Sequence, residues 1–167
     1  MKLLIIGDGR HGKDTVAEML SVLGMTFVSS SHWCLKKAIW PHCDGVTLPK
    51  YDTLEEAYED RVNWRDTWSH LISEYNDPKD RLVNEIFEDH DIYVGLRRRD
   101  EFNAARARFD DVIWVDRSQH LPPEPSNELT IEDATMVVNN NGGMYDLSKR
   151  VRELHETLCW KHRNTYR

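Results

Sequence analysis

The stretch from Met1 to Leu20, MKLLIIGDGRHGKDTVAEML, holds a strand, a turn and a helix in sequence. Leu3, Leu4, Ile5 and Ile6 form a short apolar run that reads as a buried strand. It leads without a spacer into Gly7-Asp8-Gly9-Arg10-His11-Gly12-Lys13-Asp14-Thr15, and then into a helical pattern with Val16, Met19 and Leu20 on one side. That order lets backbone N–H groups converge on an anion at a helix N-terminus. The spacing matches G-x-x-x-x-G-K, which brings Lys13 to the β- and γ-phosphates of a nucleoside triphosphate. Gly7, Gly9, Arg10, His11 and Gly12 are then the loop residues around the phosphates, with His11 expected on phosphate or in solvent. One departure stands out: Asp14 replaces the usual Ser or Thr, and Thr15 follows it. A carboxylate such as Asp14 is favourable at a helix N-terminus in its own right.

Beyond this stretch, 167 residues suffice for one domain with a real core but not for two. The net charge of −7 argues against a general nucleic-acid surface, while leaving room for a local basic groove. Three scattered cysteines, Cys34, Cys43 and Cys159, do not make a disulfide framework. No apolar run reaches membrane-spanning length, and the first one is too short for a signal peptide. The expectation is a soluble protein of a reducing cytoplasm, with no membrane partner and an oligomeric state that the sequence leaves open.

Strands and helices alternate along the chain. Met25 to Val28 reads as a second strand ending in Ser29-Ser30-Ser31, and His32 to Ile39 as a brief helix. Thr53-Leu54-Glu55-Glu56 is a capping box, which predicts one long helix to about Tyr75 with Ala57, Trp64, Trp68, Leu71 and Ile72 on its core face. Pro78 suits the first turn of a further helix to about Glu88. Ile92 to Leu96, Val112 to Val115 and Thr135 to Val138 read as strands, with a charged helix from Arg99 to Arg108 between the first two. A terminal helix from about Tyr145 places Leu147, Val151, Leu154 and Leu158 on one face. The expectation is a three-layer α/β/α domain over 1–167 with a five-stranded parallel sheet. Ligands of such folds gather at the carboxyl ends of the strands.

Those ends carry a second constellation. Arg97, Arg98 and Arg99 follow one strand, and Asp116 and Arg117 follow another. Arginine stays charged at neutral pH and pairs with phosphate through a planar fork. Arg61 and Arg65, four apart, are expected on one face of the long helix toward the same cleft. His32, Cys34, His42 and Cys43 fit no standard zinc spacing. Trp64 and Trp68 read as core, and Trp33 and Trp40 have the better claim to a base. Trp160-Lys161-His162-Arg163 and Arg167 form a small basic tail.

Taken together, the GKDT loop, Tyr93-Val94-Gly95-Leu96-Arg97 with Glu101 after it, Val112 to Arg117, and the Asn139-Asn140-Asn141-Gly142 loop with the Leu147 helix resemble the phage-type deoxynucleoside monophosphate kinases. That family belongs with adenylate, thymidylate and dephospho-coenzyme A kinases. The resemblance implies ATP and Mg²⁺, with Lys13 and Thr15 on the ATP phosphates, Thr15 beside the metal and Asp14 near its water shell. It implies Arg97 on the acceptor phosphate, Arg117 over the transferring group with Asp116 beside it, and Asn139 to Gly142 beside adenine. Ser30, Arg61 and Arg65 complete the acceptor set, inside a helical region of about 32–90, and 117–127 is the lid. Two departures are visible: Gly95 stands where such kinases usually carry Asp, and the lid is short and proline-rich.

Three functions fit. The first is transfer of the γ-phosphoryl group of ATP to a (deoxy)nucleoside monophosphate. The second is a kinase acting on an alcohol, such as the hydroxymethyl group of 5-hydroxymethyluracil in phage DNA. That one needs a carboxylate base, with Asp8, Asp14 and Asp116 as candidates, and a basic track for the DNA partner. The third is a nucleotide-binding module without catalysis.

Overall fold

The computed structural model describes residues 1–165, so Arg167 of the basic tail lies outside the described residues. Five parallel strands form one sheet: β1 (Leu3–Ile6), β2 (Phe27–Ser29), β3 (Ile92–Val94), β4 (Asp111–Asp116) and β5 (Met136–Asn139). Their order across the sheet is β2-β3-β1-β4-β5. Every residue of β1 is buried, as the continuous apolar run requires of a central parallel strand. Successive side chains point to opposite faces. Leu3 and Ile5 pack against α1 (Lys13–Val22) through Val16, Ala17 and Leu20. The same layer takes Leu147, Val151, Leu154 and Leu158 of the terminal helix, Met144–Thr165.

Leu4 and Ile6 face the other layer. It is built from α2 (Ser30–Cys34), a π-helical turn (Leu35–Ile39), α3 (Leu54–Asp60), α4 (Arg65–Tyr75), α5 (Arg81–Asp89) and α6 (Arg99–Ala105), which leaves Met144–Thr165 as α7. The three-layer α/β/α architecture and the parallel five-stranded sheet agree with the sequence expectation.

Several expected boundaries shift by one to three residues, β2 starting at Phe27, β3 ending at Val94 and α6 at Ala105, and two differences reshape the helical layer. The long helix from Thr53 to Tyr75 is two helices with a turn at 61–64. The Thr53 cap forms as expected, its hydroxyl accepting from Glu56 N–H. Asp60 then ends α3, because its carboxylate collects Tyr51 Oη at 2.6 Å, Asn63 Nδ2 at 2.6 Å and Trp64 Nε1 at 2.9 Å. These bonds compete with helix continuation. Arg61 and Arg65 therefore do not share a helical face. The next helix begins at Arg81 rather than at Pro78, and Asn76 Oδ1 accepts from Leu82 N–H in its first turn. Ala57, Trp68 and Leu71 are buried as expected, while Trp64 and Ile72 pack partly buried against the same core.

Candidate phosphate-binding site

The loop between β1 and α1 is shaped by two close approaches. Gly7 has φ +142°, and a Cβ there would lie 2.6 Å from the Val115 carbonyl oxygen of β4. Gly12 has φ +91°, and a Cβ there would meet Asn140 Nδ2 at 2.5 Å. No L side chain fits either position. Asn140, just past β5, donates from Nδ2 to His11 O at 2.9 Å and from its backbone N–H to Asp116 O at 2.6 Å. The ends of β1, β4 and β5 are thereby tied into one cradle. Arg10, in the middle of the loop, sits at φ +64°, a conformation that non-glycine residues adopt mostly where surrounding structure imposes it.

Lys13 is buried at the base of this cradle. Its Nζ donates to Gly7 O at 2.9 Å and to Asp8 O at 2.7 Å. Burial, and then the nearby Arg97 guanidinium, hold its pKa below the ordinary lysine range despite Asp14, Glu124 and Asp8. Asp14 is exposed and Thr15 half-buried in the first turn of α1.

His11 departs from both expectations, being neither in solvent nor at the cradle's open face. It is buried, and its Nδ1 accepts from Arg117 N–H at 3.1 Å, which leaves the proton on Nε2. That Nε2 has no hydrogen-bond partner among the described residues. Asp116 is likewise built into the scaffold. Its Oδ1 accepts from Ser118 N–H at 3.0 Å and its Oδ2 from Asn141 Nδ2 at 2.9 Å. Burial pushes its carboxyl up, but the bonds from Ser118 and Asn141 outweigh this and hold it below the usual carboxylate range. The guanidinium of Arg117, by contrast, has no hydrogen-bond or ion-pair partner among the described residues.

The three clustered arginines separate. Arg98 is exposed beside Asp100, and Arg99 is held by Asp133 and by the Glu128 carbonyl, its Nη2 lying 2.8 Å from Asp133 Oδ2. Arg97 alone turns to the cradle. Its Nη1 meets Glu124 Oε1 at 2.5 Å. Glu124 belongs to the segment 117–127, which folds down onto the loop as a strap. Its backbone N–H and Asn127 Nδ2 both donate to Asp8 Oδ1 at 3.1 Å. Glu124 Oε2 lies against Gly9, 2.7 Å from where a Cβ would stand, and is buried without a partner among the described residues.

On the other flank, Ser30 Oγ lies against Gly95, 2.9 Å from where a Cβ would stand, so a side chain there would displace Ser30 as well as strain a φ of +99°. Tyr58 Oη shares a hydrogen bond with Ser31 Oγ at 3.3 Å, and its ring stacks with His32 at a centroid separation of 4.4 Å. The Arg61 guanidinium lies 3.8 Å from the same ring and donates to Tyr58 O. Arg65 is exposed. Asn139 is exposed, its Oδ1 accepting from Asn141 N–H and its carbonyl from Arg150; Gly142 is also exposed, beside Asp146. Cys34 is core, its thiol pushed up to about 12 by burial. Trp33 lines a pocket of about 210 Å³ with His32, Lys36, Lys37 and His90, at the β2 edge of the sheet. Among the described residues no group of three His, Cys, Asp or Glu is placed to hold a metal ion.

The sequence pointed to the loop, Lys13, Arg97 and, within the 139–142 loop, Asn140, but assigned no role to Glu124, Asn127 or Tyr58. Glu124 meets Asp8 across 116 positions, and nothing in Pro122-Pro123-Glu124-Pro125 marks it as a partner of the loop.

The chain folds like TT1252 from Thermus thermophilus. The two align with a TM-score of 0.60 at 16% identity, over 94% of this chain and 96% of that one. At that identity the likeness concerns the fold alone. No protein-family model and no curated protein matches the chain. No helix among the described residues is long and apolar enough to cross a membrane.

Proposed function

We propose that this chain is an ATP-dependent phosphotransferase that moves the γ-phosphoryl group to the phosphate of a (deoxy)nucleoside monophosphate. The observation that carries the reading is the buried Lys13. Its Nζ hydrogen-bonds two carbonyl oxygens and no carboxylate among the described residues, inside a glycine-shaped loop at a helix N-terminus. Phosphate oxygens supply the countercharge it lacks. Thr15 and the phosphates would hold Mg²⁺, whose contribution is to neutralise charge on the phosphate oxygens. Lys13 stabilises the charge that builds on the β–γ bridge and the transferring group. Arg97, once free of Glu124, holds the acceptor. Arg117, whose guanidinium has no partner among the described residues, supplies a further positive charge over the transfer path. An acceptor phosphate oxygen attacks the γ-phosphorus, the bond to the bridging oxygen breaks and ADP leaves. The acceptor needs no base, so positioning and charge neutralisation suffice.

A second reading has one observation in its favour. An alcohol acceptor, such as a hydroxymethyl group on a pyrimidine in DNA, must lose a proton to a carboxylate. Asp8 commits Oδ1 to the strap, and Asp116 commits both oxygens to the loops that follow β4 and β5. Glu124 Oε2 is the buried carboxylate oxygen at the cradle without a partner among the described residues.

An acceptor screen with radiolabelled ATP separates the two. A free monophosphate brings its own dianion and needs only a few convergent cations. We expect label on deoxynucleoside monophosphates, strictly Mg²⁺-dependent and mildly reduced by salt. A DNA acceptor instead loses transfer steeply between ~50 and ~200 mM salt as counterion release weakens binding. Label on hydroxymethyluracil DNA alone would replace the first reading with the second.

A further inference from the structure

The phosphate cradle is closed by a carboxylate from its own chain. Glu124 stands between Arg97 and Gly9, with Oε1 on the guanidinium at 2.5 Å and Oε2 pressed against the loop. Lys13 feels its charge. The strap that carries it is pinned on either side of the carboxylate, through Glu124 N–H and Asn127 Nδ2 on Asp8, and through Arg117 N–H on His11. At the strap's base, Gln119 N–H donates to Asn141 Oδ1 at 3.0 Å and His120 Nε2 lies 2.9 Å from Asn141 O. An anion therefore sits near Lys13, which a triphosphate would use, and on Arg97, which the acceptor would use, and a buried Oε2 without a partner among the described residues is an expensive way to hold one. Such a group persists only because the pinned strap places it there.

From this geometry we infer that Glu124 is an internal competitor for the phosphate site. The strap 117–127 is a latch that nucleotide phosphates must lift, freeing Arg97 as they do so. The inference rests on the phosphate-binding reading of the loop. It adds that the ligand-free protein is held shut by charge, and that part of the affinity for nucleotide is spent on opening. A site that is competent in only a fraction of molecules shows its affinity reduced by that fraction. Removing the carboxylate restores it.

The test is binding of magnesium tripolyphosphate and of a non-hydrolysable ATP analogue to wild type, Glu124→Gln and Glu124→Ala, by calorimetry. Both variants are expected to bind more tightly, Glu124→Ala by about tenfold if the latch is closed in about nine molecules of ten. Glu124→Gln keeps the side chain's size and its bond to Arg97, so it decides the question should the alanine variant fail to fold. Hydrogen exchange gives the second readout. Amides of 117–127 should exchange faster in the ligand-free variants than in wild type, and wild type should join them when tripolyphosphate is added. Equal or weaker binding by the folded variants overturns the latch while leaving the loop's phosphate role intact. Binding by none of the three proteins defeats the phosphate reading itself, and the latch with it.

Discussion

A single methyl group at Gly7 would test whether the loop's shape is imposed by its neighbours. Its φ of +142° and the Val115 carbonyl 2.6 Å from an added Cβ leave alanine nowhere to go, since the obstacle is backbone. Gly7→Ala should cost about 3 kcal/mol, read as a lower urea midpoint with an unchanged slope. Arg97→Ala asks a different question. If the acceptor is a monophosphate, the variant should raise the acceptor KM and slow transfer while ATP binding is not weakened. Unchanged acceptor kinetics would remove Arg97 from the site. Gly7 and Lys13 were legible in the sequence because the loop's logic is local: strand, glycines, lysine and helix lie within twenty positions. Glu124 was not, because its meaning comes from a contact made across 116 positions by a proline-rich segment of no regular structure.

At the scale of elements, periodicity located the strands and helices but not where helices stop. The helix expected to run to Tyr75 fails at Asp60, where one carboxylate gathers three donors and turns the chain. A helical pattern that runs on past such a residue gives no warning of this, since Ala57 before the break and Trp68 after it both face the core. The consequence reached the site, for Arg61 stacks on Tyr58 instead of aligning with Arg65. Helix α6 offers a prediction of its own. Glu101 is buried on it, and burial, with Asp100 adding, pushes its carboxyl above the ordinary range against a hydrogen bond from Asn76. The folded protein thus holds this proton more tightly than the unfolded chain does. Stability is full below the unfolded pKa and falls as pH rises through the folded one. Glu101→Gln removes the charge and should raise the Tm at pH ~7–8, with the gain vanishing near pH ~4. A gain that is the same at both pH values would mean that ionisation of Glu101 is not its source.

Across the whole molecule, the strand order β2-β3-β1-β4-β5 explains why residues far apart in sequence share one cradle. Parallel strands deliver all their carboxyl ends to one edge, so Ser30, Arg97, the loop after β1, Arg117 and Asn140 converge there by topology alone. That convergence was readable from the alternation of strand and helix. The strap's descent onto the loop was not, because it depends on hydrogen bonds from Glu124 and Asn127 to a single aspartate. The central claim is that this edge transfers phosphate through Lys13. The most direct measurement follows γ-labelled ATP into product with wild type and with Lys13→Ala, each shown to be folded by circular dichroism. Wild type should label a nucleotide acceptor, and Lys13→Ala should lose roughly 3–4 kcal/mol of transition-state stabilisation, two to three decades in rate, with its fold intact. A folded Lys13→Ala protein that turns over at near the wild-type rate would contradict it.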